Sequence, residues 1–315
     1  MGKYLVTGAA GFIGSHLSES LVSGGHQVIG IDSFTPFYSP QIKRSNITAL
    51  LNSPNFAFHE LDLRNLEQAS LLSDVDTVVH LAALPGLLGW EHFEEYVSCN
   101  IIATQKLLEA VRANNIKHFV YGSTSSVYGR EATKDESSPP APSSPYGVTK
   151  LTAEHLCQAY SREHGMPLTI LRFFSVYGPR QRPDMAYHIF ISSLLKGEPI
   201  TIYGDGEQSR SNTYISDCVR GIMLALEKEE KSRGEIFNIG GGEEVTLNRA
   251  LDMLQELTGE KARIVHGKPR PGDQRRTAAD IGKAKRILGY SPSTSFKEGL
   301  KAQVEWQRSL YSGDF

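Results

Sequence analysis

The sequence is short of several features that would narrow its class at once. Cysteine is scarce: Cys99, Cys157 and Cys218 are the three in 315 residues, odd in number and far apart. They match no disulfide framework and no zinc-ligand spacing, so the plain reading is a cytoplasmic protein in a reducing environment, with no metal site. An excess of one charge is also missing. Lys and Arg total 33 against 35 Asp and Glu, a formal net charge of −2, which removes the electrostatic case for a nucleic-acid partner. No apolar run approaches the ~20 residues of a membrane-spanning helix, and no internal repeat is visible. Met1-Gly2-Lys3 leads straight into Tyr4-Leu5-Val6 with no signal-peptide architecture, and a Gly2 beside a buried strand makes a poor lipid site. What is present is ordinary for a folded globular chain: 40% hydrophobic and 22% charged residues, in a length ample for a large core.

The first half alternates two kinds of segment. Tyr4-Leu5-Val6, Val28-Ile29-Gly30-Ile31, Thr77-Val78-Val79-His80-Leu81 and His118-Phe119-Val120-Tyr121 are too short and too β-branched for helices, and read as buried parallel strands. Helical patterns such as Ile13–Ser23 and Asn100–Ala113 lie between them. Strands alternating with helices predict βαβ units and a doubly wound parallel α/β sheet. After Leu168-Thr169-Ile170-Leu171 the rhythm becomes irregular, which predicts a smaller α/β substrate domain. The expected division is 1–172 for the cofactor and 173–315 mainly for substrate, with a segment near 213–240 returning to the first domain. Pro139–Pro145 resembles a linker in composition, but a strong motif begins at its end, so an ordered loop is expected.

Strand one ends in Gly8-Ala9-Ala10-Gly11-Phe12-Ile13-Gly14 and a helix follows directly. Glycines at 8, 11 and 14 permit a tight turn and close backbone approach to a pyrophosphate, which the helix N-terminus then favours. Asp32 ends the second strand. A carboxylate there accepts hydrogen bonds from ribose hydroxyls and repels a 2′-phosphate, so NAD is expected over NADP. Asp62, after the third strand, is a further adenine-side candidate. Tyr146 and Lys150 lie four residues apart and share a helix face. An ammonium beside the phenol would lower its pKa and make Tyr146 a general base near neutral pH. Ser123-Thr124-Ser125-Ser126 follows the fifth strand, at the carboxyl end where ligands of such sheets sit.

Together, Gly8 to Gly14, Asp32, His80-Leu81-Ala82-Ala83, the hydroxyl cluster and Tyr146/Lys150 resemble the extended short-chain dehydrogenase/reductase superfamily. More narrowly they look like its NAD-dependent nucleotide-sugar epimerases and dehydratases, with a Rossmann-type fold. The resemblance covers nearly the whole chain. It implies that the cofactor stays bound and that Phe12, Ile13, Ser33, Lys43, Leu63, Leu81, Ala82, Ala83, Asn100 and Phe174 join the glycines, Asp32 and Asp62 around it. It gives Tyr146, Lys150 and Thr124 the catalytic roles. Ile202 to Arg210 and Arg270-Pro271-Gly272-Asp273 resemble the segments that hold a uridine diphosphate. This makes Pro85, Tyr203, Arg210, Arg270, Asp273 and Arg182 substrate candidates, with two guanidiniums suited to clamp a diphosphate.

Arg172-Phe173-Phe174-Ser175-Val176-Tyr177-Gly178-Pro179-Arg180-Gln181-Arg182-Pro183-Asp184 closely resembles the UDP-glucuronate 4-epimerase subgroup, as does Asp32-Ser33-Phe34-Thr35-Pro36-Phe37-Tyr38. That implies 4-epimerisation of a UDP-hexuronic acid through a transient 4-keto sugar without loss of CO₂. Thr124-Ser125-Ser126 has no acid where related decarboxylases carry Thr-Ser-Glu and dehydratases Thr-Asp-Glu. Ser125, Ser126 and Ser175 are then the carboxylate candidates. Leu88 stands where related loops often have Arg. A UDP-glucose or UDP-N-acetylglucosamine 4-epimerase is the alternative; a decarboxylase or a non-catalytic NAD-binding protein lies further off. A homodimer is expected through two helices per subunit, about Glu95–Ala113 and Tyr146–His164.

Overall fold

In the computed structural model the described residues are 2–66, 69–86, 88–269 and 274–312. Short apolar runs of the first half form β1 (Lys3–Thr7), β2 (Gln27–Asp32), β3 (Phe56–Glu60), β4 (Thr77–His80) and β5 (His118–Thr124). Leu168–Phe173 and Ile236–Ile239 complete a seven-stranded sheet in the order Ile236–Ile239, Leu168–Phe173, β5, β4, β1, β2, β3. Every pair in it is parallel. Both faces are covered, so successive side chains feed two different cores. Val6, Val28, Val79, Val120, Leu171 and Phe237 enter one, and their neighbours Leu5, Ile29, Val78, Phe119 and Ile170 enter the other. The doubly wound parallel α/β sheet read from the sequence is the observed one.

The strand order reverses beside β1. From β1 the chain winds outward through β2 and β3, then returns to β4 and β5 on the other side. Connections leaving β1 and β4 in opposite directions open a crevice at their carboxyl ends. Register brings Thr7 opposite His80 and Ile31, and Thr124 opposite Phe173, so the loops after β1, β2, β4 and β5 meet at one edge.

The second half has its own core. Helices Ala186–Lys196, Leu247–Thr258 and Phe296–Ser312 bury Ile191, Leu194, Leu251, Leu254 and Leu300 together with Ile200 and Ile202. The latter two belong to the strand Pro199–Tyr203, which pairs in parallel with Arg263–Gly267. Ser209–Ser211 anchors a small mixed sheet with Glu244–Thr246, Arg276–Thr277 and Glu131–Ala132. Ile222, Phe237 and Tyr290 nevertheless pack into the same cluster as Val6 and Leu17. The Pro139–Pro145 stretch is an ordered loop, tied by Ala141 N–H to Val127 O at 2.9 Å. No helix of the described residues is long and apolar enough to cross a membrane.

Candidate active site

β1 delivers its glycines to the crevice. Gly8 adopts φ +69°, and a Cβ there would meet Ala82 N at 2.9 Å. At Gly14 a Cβ would stand 2.1 Å from Gly8 O, so the helix α1 (Phe12–Ser23) can close on the turn only without a side chain. Gly11 is the N-cap of α1 and offers no side-chain acceptor to the first turn. That side-chain-free turn and its amides suit a diphosphate. The Asp32 carboxylate at the end of β2 accepts from Ala10 N–H at 3.2 Å and Phe34 N–H at 2.9 Å. Burial raises its pKa, and the charge of Lys43 opposes that rise. Lys43 itself donates to Thr35 O and Oγ1, both at 3.0 Å. The Asp62 carboxylate is held by the Arg64 guanidinium and backbone N–H, which keep it below the usual carboxylate range. These groups fit a dinucleotide whose ribose hydroxyls meet Asp32.

Across the cleft, Ser144 Oγ accepts Gly147 N–H at 3.1 Å and caps the helix Pro145–His164, with Pro145 in its first turn. The first two turns of that helix present Tyr146 and Lys150 to the cleft. Tyr146 is hydrogen-bonded to Thr124, whose Oγ1 also accepts Ser126 N–H at 3.1 Å. Burial pushes the Tyr146 pKa up; the Arg182 charge and the Thr124 hydrogen bond pull it down. The Lys150 Nζ lies 4.1 Å from the Tyr121 ring centroid, and Arg182, which the spacing did not single out for this role, adds a positive charge acting on Tyr146. Burial brings Lys150 itself down to about 7.

Of the sequence-predicted residues, Gly8, Gly11, Phe12, Ile13, Gly14, Asp32, Ser33, Lys43, Asp62, Leu63, Leu81, Ala82, Ala83, Pro85, Tyr146, Lys150 and Arg182 line one cleft. Asn100, expected at the cofactor, lies behind the wall: its side chain bonds Leu84 N and O at 2.7 and 3.1 Å and Thr149 Oγ1 at 3.2 Å. Phe174 is fully buried beside Tyr128, also outside the cleft lining. Ser125 is buried and Ser126 Oγ accepts from Thr124 at 3.2 Å. Ser175 holds φ +31°. Tyr203 and Arg210 sit on the strands Pro199–Tyr203 and Ser209–Ser211, away from the cleft lining. Arg270 and Asp273 lie outside the described residues. Among the described residues no His, Cys, Asp and Glu group is arranged for a metal, and the three cysteines are free thiols.

Sequence reasoning missed several residues. Arg64 and Cys99 also line the cleft; Arg64 had a signal, since an acid two residues before it makes an Asx turn. Two buried networks beneath the cleft gave none. Thr7 Oγ1 accepts Leu81 and Ala82 N–H at 3.2 Å each, so its own hydrogen goes to His80 Nδ1 at 2.7 Å. The other His80 nitrogen then carries the proton and donates to Thr104 Oγ1 at 2.9 Å. Burial drives the His80 pKa to about 3, which keeps this ring neutral. In the second network the Arg172 guanidinium grips the Glu154 carboxylate at 2.9 and 2.6 Å, both residues being almost wholly buried. Ser123 Oγ donates to the same carboxylate, and Tyr128 Oη accepts from Arg172 at 2.9 Å.

Comparison with known proteins places these features in context. The family model described as the NAD dependent epimerase/dehydratase family matches residues 4–240. An uncharacterized UDP-glucose epimerase of Bacillus subtilis is 49% identical over 319 aligned positions, covering 99% of this chain and 100% of that protein. A UDP-glucuronate 4-epimerase of Thermodesulfobacterium geofontis is 37% identical, covering 98% of this chain and 97% of that one. The crystal structure of a UDP-glucuronic acid 4-epimerase from Bacillus cereus, in complex with UDP-glucuronic acid and NAD, superposes with a TM-score of 0.95. It is 45% identical, over 98% of this chain and 100% of that one.

Proposed function

The chain belongs to the NAD dependent epimerase/dehydratase family, and from that premise we propose that it is an NAD-dependent UDP-glucuronate 4-epimerase, interconverting UDP-glucuronate and UDP-galacturonate. The observation that carries the proposal is the triad at the carboxyl ends of the strands: Tyr146 hydrogen-bonded to Thr124 and one helical turn from Lys150. It is reinforced by similarity, at 45% identity and over nearly the whole chain, to an enzyme described with UDP-glucuronic acid and NAD.

Gly8, Gly11 and Gly14 would receive the cofactor pyrophosphate, and Asp32 the adenosine ribose. NAD⁺, when bound, supplies the hydride acceptor at sugar C4 and a positive ring that lowers the neighbouring phenol's pKa. Tyr146 takes the proton from the C4 hydroxyl as that carbon is oxidised to the ketone. Thr124 orients the same oxygen. After the 4-keto sugar turns its other face, the hydride returns to C4 and Tyr146 gives the proton back, so atoms and charge balance over the cycle. Ser125, Ser126 and Ser175 are the proposed carboxylate partners. Neutral hydroxyls can hold the carboxylate so that the C–CO₂ bond stays near the carbonyl plane, where its electrons cannot pass into the ketone. Pro85, Arg182, Tyr203, Arg210, Arg270 and Asp273 are proposed for the uridine diphosphate. The helical stretches from about Glu95 to Ala113 and from Tyr146 to His164 are the proposed dimer helices, and a reducing cytoplasm is the proposed compartment.

An NMR time course with UDP-glucuronate, and with UDP-glucose in a parallel tube, tests the proposal. UDP-galacturonate appearing without UDP-pentose or CO₂ supports it. Turnover of UDP-glucose alone would move the specificity to a neutral sugar, and mainly UDP-pentose would make the protein a decarboxylase.

A further inference from the structure

Tyr96 is fully buried, yet its hydroxyl is committed to the backbone of one loop. Tyr96 Oη accepts Leu88 N–H at 3.0 Å and lies 3.1 Å from Pro85 O and 3.2 Å from Leu88 O. A phenol has one hydrogen and can accept, so it satisfies the amide and donates to one carbonyl at a time. The loop is fastened again at Leu84, whose N–H and C=O both bond the Asn100 side chain. Tyr96 and Asn100 are four residues apart, so one helix face grips the loop twice.

Between the two grips the loop backbone lies on the catalytic ring. A Cβ built on Gly86 would come within 2.6 Å of Tyr146 Cδ1 and 2.8 Å of Cγ. Only a glycine allows that approach. The Tyr96 ring itself stands 6.2 Å from the Tyr146 ring, tilted by 49°. The phenol of Tyr146 is thus confined by a ring and a backbone that the same residue holds in place. The hydrogen bonds from Tyr96 to Pro85 and Leu88 go to main-chain atoms, so they do not depend on the side chains at those two positions.

We infer that Tyr96 is a positioning residue: its hydroxyl ties the backbone at Pro85 and Leu88, and with it Gly86, down against Tyr146, fixing the phenol for proton transfer. The inference rests on the proposed role of Tyr146, but the tether itself has a readout that does not require turnover.

Tyr96→Phe keeps the buried ring and removes only the tether. Amide hydrogen exchange in the 84–90 segment is expected to accelerate at least about tenfold, with exchange in the Pro145–His164 helix and the content of bound NAD unchanged. In the UDP-sugar assay kcat is expected to fall roughly tenfold to a hundredfold, through lost orientation of Tyr146, with a smaller change in KM. Gly86→Ala is the complementary variant. It drives a methyl into the Tyr146 ring and should lower kcat similarly while leaving exchange of the loop native, and it carries the test if Tyr96→Phe fails to fold. Native exchange and kinetics in Tyr96→Phe, or a kinetically silent Gly86→Ala, would overturn the inference. If the wild-type protein turned over no UDP-sugar, the proposed function would fall, while faster exchange in Tyr96→Phe would still establish the tether.

Discussion

At Tyr146 burial and hydrogen bonding act on the same phenol in opposite directions, and burial is the larger. A positive charge in the cleft is therefore needed before the phenol can serve near neutral pH, and Arg182 supplies part of it. Tyr146→Phe is expected to lower turnover ~10²–10⁴-fold while bound NAD copurifies as before; residual activity within about tenfold of wild type in the NMR assay would remove Tyr146 from proton transfer. Lys150 gives a stability test. Its folded pKa of about 7 lies below the ordinary 10.5. Below pH 7 both folded and unfolded chains hold this proton, so stability is flat there with respect to it. Between pH 7 and 10.5 the unfolded chain holds more, so stability rises with pH. Lys150→Met should accordingly raise the melting temperature of the cofactor-free protein at pH 6, and the gain should shrink toward pH 10. An equal gain at both ends would mean that the amine is not held in a dry site. The four-residue spacing made Tyr146 and Lys150 legible, because helix geometry alone puts both on one face. It gave no measure of burial, and so did not show that Arg182 also acts on the phenol. Asn100 was placed on the right helix, but nothing in its neighbours told which wall it braces.

Elements buried on both faces were the readable ones. β1, β2, β4 and β5 show as apolar runs within a few residues of their observed ends, since a strand in a parallel sheet has no solvent face to interrupt it. The helix before β5 was readable as a helix, but Val97–Ile102 within it is a π segment, and a one-residue widening leaves no periodic trace in so short a stretch. Strands such as Ser209–Ser211 and Arg276–Thr277 were invisible because two or three polar residues carry no period. Pairing between elements was equally hidden: Glu154 on the catalytic helix and Arg172 on the strand Leu168–Phe173 look like ordinary charges until the fold buries them together. Removing one partner leaves the other charge buried and poorly compensated. Glu154→Gln is expected to cost about 3–5 kcal/mol, read as a lower midpoint in denaturant. Part of the loss should appear as weaker catalysis, since the same carboxylate holds Ser123 beside Thr124. An unchanged midpoint would mean that water reaches the pair.

Across the whole molecule the division of labour does not coincide with a division of folding. The proposed cofactor residues lie almost entirely within 1–172, yet the sheet that stretch begins is finished by Ile236–Ile239, hydrogen-bonded along Leu168–Phe173. The cluster around Val6 and Leu17 takes in Val219, Ile222, Phe237, Leu288 and Tyr290, so much of what covers that face of the sheet comes from beyond residue 213. Arg180 adds an ion pair to Glu19 of α1 at 2.7 Å, fastening the segment that bears Arg182 to the helix behind the glycine turn. A fragment of residues 1–172 would expose the edge of Leu168–Phe173 and strip that cluster of its cover. Losing the burial of these five large side chains forfeits roughly 1.5–3 kcal/mol each, which in sum is comparable to the ~5–15 kcal/mol net stability of a typical protein. The fragment is therefore expected to show no cooperative thermal transition and to retain no NAD after gel filtration, although every residue of the glycine turn and both Tyr146 and Lys150 are present. Coexpression with residues 173–315 should recover a cofactor-binding complex, because the missing strand and helices are then supplied in trans. A fragment that melted cooperatively and kept its NAD would show instead that the first 172 residues are a folding unit in their own right.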